Sequence, residues 1–259
     1  MIPKIIHYCW FGRKPLPNTA VKCIESWKKF LPEYEIKVWN EDTFDVRSCD
    51  YVREAYEAKK WAFVTDYVRL YVLVSCGGVY MDTDVEVKKS LDPFLDYRAF
   101  SGFQTDTEIP TGIMACEKGF PLFDELLHNY DGRRFKLEDG TFDMHTNVEA
   151  ITEACLERGL VLNNTFQVID GFALFPKQVF CAKDYKTREL EITEDTVTIH
   201  HFAGSWTDSD AKLENRIIEQ TMKWNMKKFG QIITSPIRGI RRLRWNIEGY
   251  YKKVKGSKK

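Results

Sequence analysis

Hydrophobic and polar positions along the chain alternate between short apolar runs and stretches with helical spacing. Ile5 to Trp10 is an apolar run without alternation, the pattern of a strand buried on both faces, and Phe11-Gly12 closes it. Asn18 reads as a helix cap, with Val21, Ile24, Trp27 and Phe30 at helical spacing behind it and Pro32 as the stop. Glu35 to Trp39 alternates like a second strand, and Asp50 to Lys60 is amphipathic and helical. Ala62 to Cys76 is a nearly continuous apolar helix ending at Gly77-Gly78, and a short strand, Val79 to Met81, runs into Asp82 and Asp84. Extended segments are expected at Val85 to Val87, Ala99 to Phe103, Gly112 to Cys116 and Thr196 to His201. Helices are expected at Phe120 to Tyr130, Thr146 to Arg158 and Ser209 to Phe229. Strand and helix alternate through the first half, which predicts an α/β fold with parallel pairing.

The length, 259 residues, allows one large domain or two small ones. With no repeat or linker before residue 230, the expected division is one domain over 1–235 and a tail over 236–259. Lysine plus arginine and aspartate plus glutamate number 38 each, so net charge points to no class of partner. The distribution is uneven. Residues 236–259 carry nine Lys or Arg against Glu248, leaving 29 basic and 37 acidic residues in the rest. Apolar residues at 237, 240, 243, 247, 250 or 251, and 254 have helical spacing, so the tail reads as a basic amphipathic helix suited to an anionic membrane surface. The alternative is a helix packed on its own domain. Nothing else supports nucleic acid as a partner.

The seven cysteines are scattered, with no C-x-x-C pair, which suits reduced core thiols. The opening MIPKIIHYCWFG lacks a basic n-region and a long apolar h-region. A cytoplasmic protein is expected, peripheral on the inner face of the cell membrane if the tail docks there.

Charge inside an apolar run is costly unless it has a partner or a role. Asp66 and Arg69, three apart, lie on one helix face, either as an intrahelical ion pair or facing a ligand pocket. Asp82-x-Asp84 follows an apolar strand, at the strand edge where open α/β sheets bind ligands. At a turn, two such carboxylates can share a hard divalent ion with a phosphate co-ligand; otherwise they are a solvated loop pair.

The spacing of Ala62, Asp66, Arg69, Leu73, Gly77-Gly78, Tyr80, Asp82 and Asp84 resembles the DXD sugar-binding region of glycosyltransferase family 32. Ile2 to Gly12 is similar to that family's first strand, Ile36 to Asn40 to its second, and His200-His201-x3-Ser205-Trp206 to its C-terminal element; roughly Asp106 to Asp195 matches nothing assigned. The resemblance implies a GT-A-type nucleotide-sugar-binding fold, with a mixed, mostly parallel sheet flanked by helices. It implies a retaining transfer from a UDP- or GDP-sugar to a glycan or lipid-linked glycan acceptor, as in bacterial capsule, exopolysaccharide or lipopolysaccharide synthesis. It implies Mn2+ or Mg2+ as cofactor. On this resemblance Asp66, Arg69, Asp82 and Asp84 are the expected catalytic residues. Tyr8, Trp10, Phe11, Asp66, Arg69, Tyr80, Asp82, Thr83, Ser205 and Trp206 bind the donor, and Asp82, Asp84 and His201 hold the metal. One of His200 and His201 points inward and the other outward on an alternating strand; the expectation favours His201 for its spacing to Ser205-Trp206. Gln104, Asp106, Asp143 and Asn147 are acceptor-side candidates. The alternatives are a nucleotide-sugar-binding protein without catalysis on the same fold, and a D-x-D phosphatase.

Overall fold

The structure, a computed structural model, describes residues 1–185 and 187–204. The expected helix at 209–229, the tail at 236–259, Ser205 and Trp206 lie outside them.

The element order is β1 (Ile5–Cys9), α1 (Asn18–Phe30), β2 (Glu35–Trp39), α2 (Asp50–Glu57), α3 (Trp61–Cys76), β3 (Gly78–Met81) and β4 (Val85–Val87). These are followed by β5 (Ala99–Gly102), β6 (Ile113–Cys116), α4 (Pro121–His128), α5 (Asn147–Glu157), β7 (Gln167–Ile169), β8 (Phe172–Phe175), α6 (Lys177–Phe180) and β9 (Thr198–His200). Seven strands form one sheet in the order β2-β1-β3-β6-β5-β8-β7, and β4 pairs with β9 in a separate ribbon. The pairings put β1, β2, β3, β5 and β8 in one direction and β6 and β7 in the other. The sheet is therefore mixed and mostly parallel, flanked by helices, as expected.

Side chains on successive strand residues point to opposite faces, and both faces are covered. Tyr80, Met114 and Cys116 pack with Val68, Leu73, Phe123 and Ile151 of α3, α4 and α5. Val79, Met81, Ile113 and Ala115 pack with Trp27 of α1, Val85 and Val87 of β4, and Phe180 of α6. Each fully buried large side chain contributes roughly 1.5–3 kcal/mol. The stripe on α1 is rotated from its expected position. Ala20, Cys23 and Trp27 are buried, whereas Val21 is exposed and Asn18 is the first helical residue rather than the cap. Trp27 sets this rotation: its ring is fully buried and its indole Nε1 donates to Val85 O at 2.7 Å, tying α1 to β4.

Gly77 and Gly78 end α3 and start β3 at φ +68° and +109°, where side chains are strained. Both are also crowded, since a Cβ at Gly78 would lie 2.7 Å from Ile5 O. This break delivers the chain into the sheet centre, with β3 between β1 and β6. Buried His7 braces it. The His7 ring accepts from Trp39 Nε1 at Nδ1 (3.0 Å), which leaves Nε2 to donate to Gly77 O (2.9 Å). Among the described residues, no helix is long and apolar enough to cross a membrane.

Candidate active site

The chain leaves the main sheet at Met81 and enters the ribbon at Val85. Between them lies a turn closed by Val85 N donating to Asp82 O at 3.0 Å. Residues two apart share one face of a strand, and across this turn the carboxylates of Asp82 and Asp84 still face one place. Asp82 is fixed from three sides. Its amide donates to Gly112 O (2.8 Å), its Oδ1 accepts from Tyr80 OH (2.8 Å), and Arg69 Nη2 lies 3.5 Å from the same oxygen.

β9 lies antiparallel to β4 with His200 opposite Val85. That register puts His200 on the ribbon's buried face. His200 Nε2 lies 3.2 Å from Asp84 Oδ1 and 3.9 Å from Asp82 Oδ2. His201 falls on the other face, where its Nε2 pairs with Glu86 Oε2 at 2.9 Å. The histidine beside the aspartates is thus His200, and the expectation for His201 is corrected: ribbon register turns its ring away.

Asp82, Asp84 and His200 each offer a ligand atom, all within 4.8 Å of one another. Two carboxylate oxygens and an imidazole nitrogen at this spacing fit a divalent cation. Asp82 is partly exposed, so coordination positions on its side stay open to a ligand. The nitrogen suits Mn2+ better than Mg2+, which prefers all-oxygen shells. Burial would raise the Asp84 carboxyl, but His200 beside it and the Ala203 amide hold it at about 2. Burial likewise works against the His200 imidazolium, and Asp84 outweighs it, raising His200 to about 10. Gly112 presses on the imidazole from the β6 side: a Cβ there would meet His200 Cε1 at 2.5 Å and Asp82 Oδ2 at 3.2 Å.

Asp66 and Arg69 make the intrahelical ion pair, and Arg69 also reaches Asp82. Arg69 Nη2 is 3.4 Å from Asp66 Oδ1 and its Nη1 donates to Thr111 O at 2.6 Å. Its guanidinium lies 4.8 Å from the centre of the Tyr80 ring. Burial raises the Asp66 carboxyl above its usual range, against Arg69 and the Asn147 amide. Asn147 clasps Asp66 at both ends. Its amide donates to Asp66 Oδ2 (3.3 Å) and its Nδ2 to Asp66 O (2.6 Å), while its Oδ1 accepts from Tyr130 OH (2.7 Å). Asn147 opens α5, whose capping box on Thr146 points the positive helix end at Asp66.

The remaining candidates scatter. Tyr8 is half-buried, edge-on to Trp27 at 5.7 Å. Trp10 is half-buried at the end of β1, its Nε1 donating to Lys14 O. Phe11 is a core residue packed on Phe44, so the expected open aromatic face there is corrected: its ring is used in the core. Thr83 sits half-buried between the aspartates. Gln104 and Asp106 belong to a small hairpin closed by Gln104 N donating to Glu108 O, with Asp106 exposed at its tip. Asp143 pairs with Arg133 Nε at 2.6 Å. Gly112, Thr111 and Tyr130 were missed by sequence reasoning; the Pro110-Thr111-Gly112 break was the available signal for the first two.

Two aspartates and a histidine at the edge of a mixed sheet, beside a buried Asp–Arg pair, make a candidate cation site. Residues 17–101 match the family model described as "Glycosyltransferase sugar-binding region containing DXD motif". That stretch is thus similar to the DXD sugar-binding region of glycosyltransferases, the group that the sequence resembles. Inositol phosphoceramide mannosyltransferase 3 of Schizosaccharomyces pombe is 29% identical over 132 residues, 49% of this chain and 37% of that protein. The chain thus spans little more than a third of that relative's length. Uncharacterized glycosyltransferase L373 of Acanthamoeba polyphaga mimivirus is 24% identical over 71% of this chain and 77% of its own. Among solved structures, PaToxG glycosyltransferase aligns with a TM-score of 0.45 and 19% identity, over 60% of this chain and 69% of its own.

Proposed function

We propose that the protein is a metal-dependent, retaining hexosyltransferase that moves a sugar from a UDP- or GDP-sugar to a glycan acceptor. The observation that carries this reading is that Asp82 and Asp84, inside the matched sugar-binding region with the buried Asp66–Arg69 pair, converge with His200 from outside it. Asp82, Asp84 and His200 would hold Mn2+ or Mg2+, which supplies charge neutralisation at the diphosphate of the departing nucleotide. Arg69, fixed by Thr111 O and facing Asp66 and Asp82, supplies a donor fork for the sugar or the pyrophosphate. Asp66, held by Asn147, accepts hydrogen bonds from sugar hydroxyls. Tyr8 and Trp10 flank the nucleotide base. A lipid-linked acceptor is supported by the relative named for inositol phosphoceramide. The basic stretch at 236–259 is the ground for proposing a cytoplasmic enzyme at a membrane face, with bacterial capsule, exopolysaccharide or lipopolysaccharide chains as the proposed acceptors.

The test is a donor-hydrolysis screen with GDP-mannose and UDP-hexoses under Mn2+, Mg2+ or EDTA, repeated with Asp84→Asn. Metal-dependent turnover of at least one donor, lost in EDTA and strongly reduced in the variant, is expected. Turnover that persists in EDTA and in Asp84→Asn would refute the assignment.

A further inference from the structure

The carbonyl oxygen of His201 accepts hydrogen bonds from two buried cations. Lys183 Nζ donates to it at 3.2 Å and Arg188 Nη2 at 2.9 Å, with these residues 8% and 6% exposed. Charge-assisted hydrogen bonds from two buried side chains hold that carbonyl in place. Both come from one hairpin, closed by the Lys183–Leu190 bridge and by Glu191 N donating to Ala182 O at 2.7 Å. The hairpin is anchored beside β9: Thr198 Oγ1 donates to Phe180 O at 2.7 Å and Val197 N to Val179 O at 2.8 Å.

The carbonyl they hold lies at the point where the chain leaves β9 and wraps around Asp84. On one side of His201, its own amide donates to Asp84 O at 2.9 Å. On the other, Phe202 adopts φ +51°, a left-handed conformation strained for an aromatic residue. That bend swings Ala203 N onto Asp84 Oδ2 at 2.7 Å and sets the Phe202 ring 4.0 Å from the His200 ring. Fixing the His201 carbonyl fixes the peptide plane that leads into the bend, and with it the partners of both Asp84 oxygens.

We propose that Lys183 and Arg188 are positioning residues that clamp the His200–Ala203 turn, and thereby set the affinity of Asp82, Asp84 and His200 for a divalent cation. The inference rests on the reading of those three residues as a cation site. Neither cation touches the ligand atoms; each acts through the His201 carbonyl. Outer groups of this kind typically change metal affinity 10- to 100-fold when removed.

The test titrates Mn2+ into the full chain by calorimetry and electron paramagnetic resonance, with UDP or GDP present, for Arg188→Met, Arg188→Lys and Lys183→Met. Thermal unfolding serves as the folding control. Arg188→Met should weaken Mn2+ binding at least about tenfold, Lys183→Met should weaken it less, and Arg188→Lys should recover part of the loss. In donor hydrolysis the variants should need more Mn2+ for half-activation, while kcat at saturating Mn2+ returns to near that of the unaltered protein. If Arg188→Met does not fold, Lys183→Met and Arg188→Lys carry the test. Mn2+ affinity unchanged in the folded variants, with the unaltered protein binding Mn2+, would overturn the clamp alone. Failure of the unaltered protein to bind Mn2+ would overturn the cation site and the clamp together.

Discussion

Gly112→Ala tests the candidate site with one methyl group. The backbone at Gly112 lies outside the left-handed region, so alanine is conformationally allowed there and the effect is steric. Built on the existing backbone, the new Cβ lies 2.5 Å from His200 Cε1, 2.7 Å from its Nδ1 and 3.2 Å from Asp82 Oδ2. Relaxed contact between such atoms is about 3.5–4.0 Å, so the imidazole must retreat by about 1 Å or the β6 approach must open. The ring has little room to retreat: it is buried and lies 4.0 Å from the Phe202 ring. Metal–ligand distances tolerate only about 0.2 Å, so a shift of that size takes Nε2 out of register with the aspartates. Overpacking costs roughly 1–3 kcal/mol of stability, and Mn2+ affinity should fall by one to two orders of magnitude. Calorimetric titration of Mn2+ with a nucleoside diphosphate, beside a thermal melt, measures both. A folded Gly112→Ala protein that binds Mn2+ as the unaltered one does would refute the placement of His200 in the site.

Asn147→Ala removes the donor to Asp66 O and strands the Tyr130 hydroxyl, which costs roughly 1–3 kcal/mol for buried groups; urea melts should show it, with kcat/KM in donor hydrolysis falling as Asp66 loosens. Glu54 on α2 is buried and receives Arg134 from its side chain and Lys136 from its amide, which hold its carboxyl below the usual glutamate range. A depressed folded-state pKa means stability that is present above the unfolded value and lost as pH falls through the folded one. The advantage of the unaltered protein over Glu54→Gln should therefore be full at pH 7 and shrink in urea melts below about pH 4.5; a gap independent of pH would refute it.

The stretch from Ala62 to Asp84 was legible because its signals are local. A continuous apolar helix, two glycines at left-handed φ and a short buried strand need no distant partner to be recognised, and they lead directly to the aspartate pair. The hairpin of β7 and β8 carries a local signal too, since Asp170-Gly171, both at positive φ, is a strong two-residue turn signal between apolar runs. The choice between His200 and His201 was of another kind. Alternation assigns them opposite faces, but only the pairing of β9 with β4, over a hundred residues away in sequence, decides which face is the inner one. A slip of one residue would exchange them. Asn147 meets Asp66 across 81 residues for the same kind of reason, because tertiary packing brings the first residue of α5 onto α3. The sequence by itself determined the elements and the carboxylates they carry, since periodicity and glycine conformation act within a few residues. Tertiary packing alone decided which histidine, which asparagine and which glycine meet those carboxylates, because contacts across the sheet depend on strand register and helix docking.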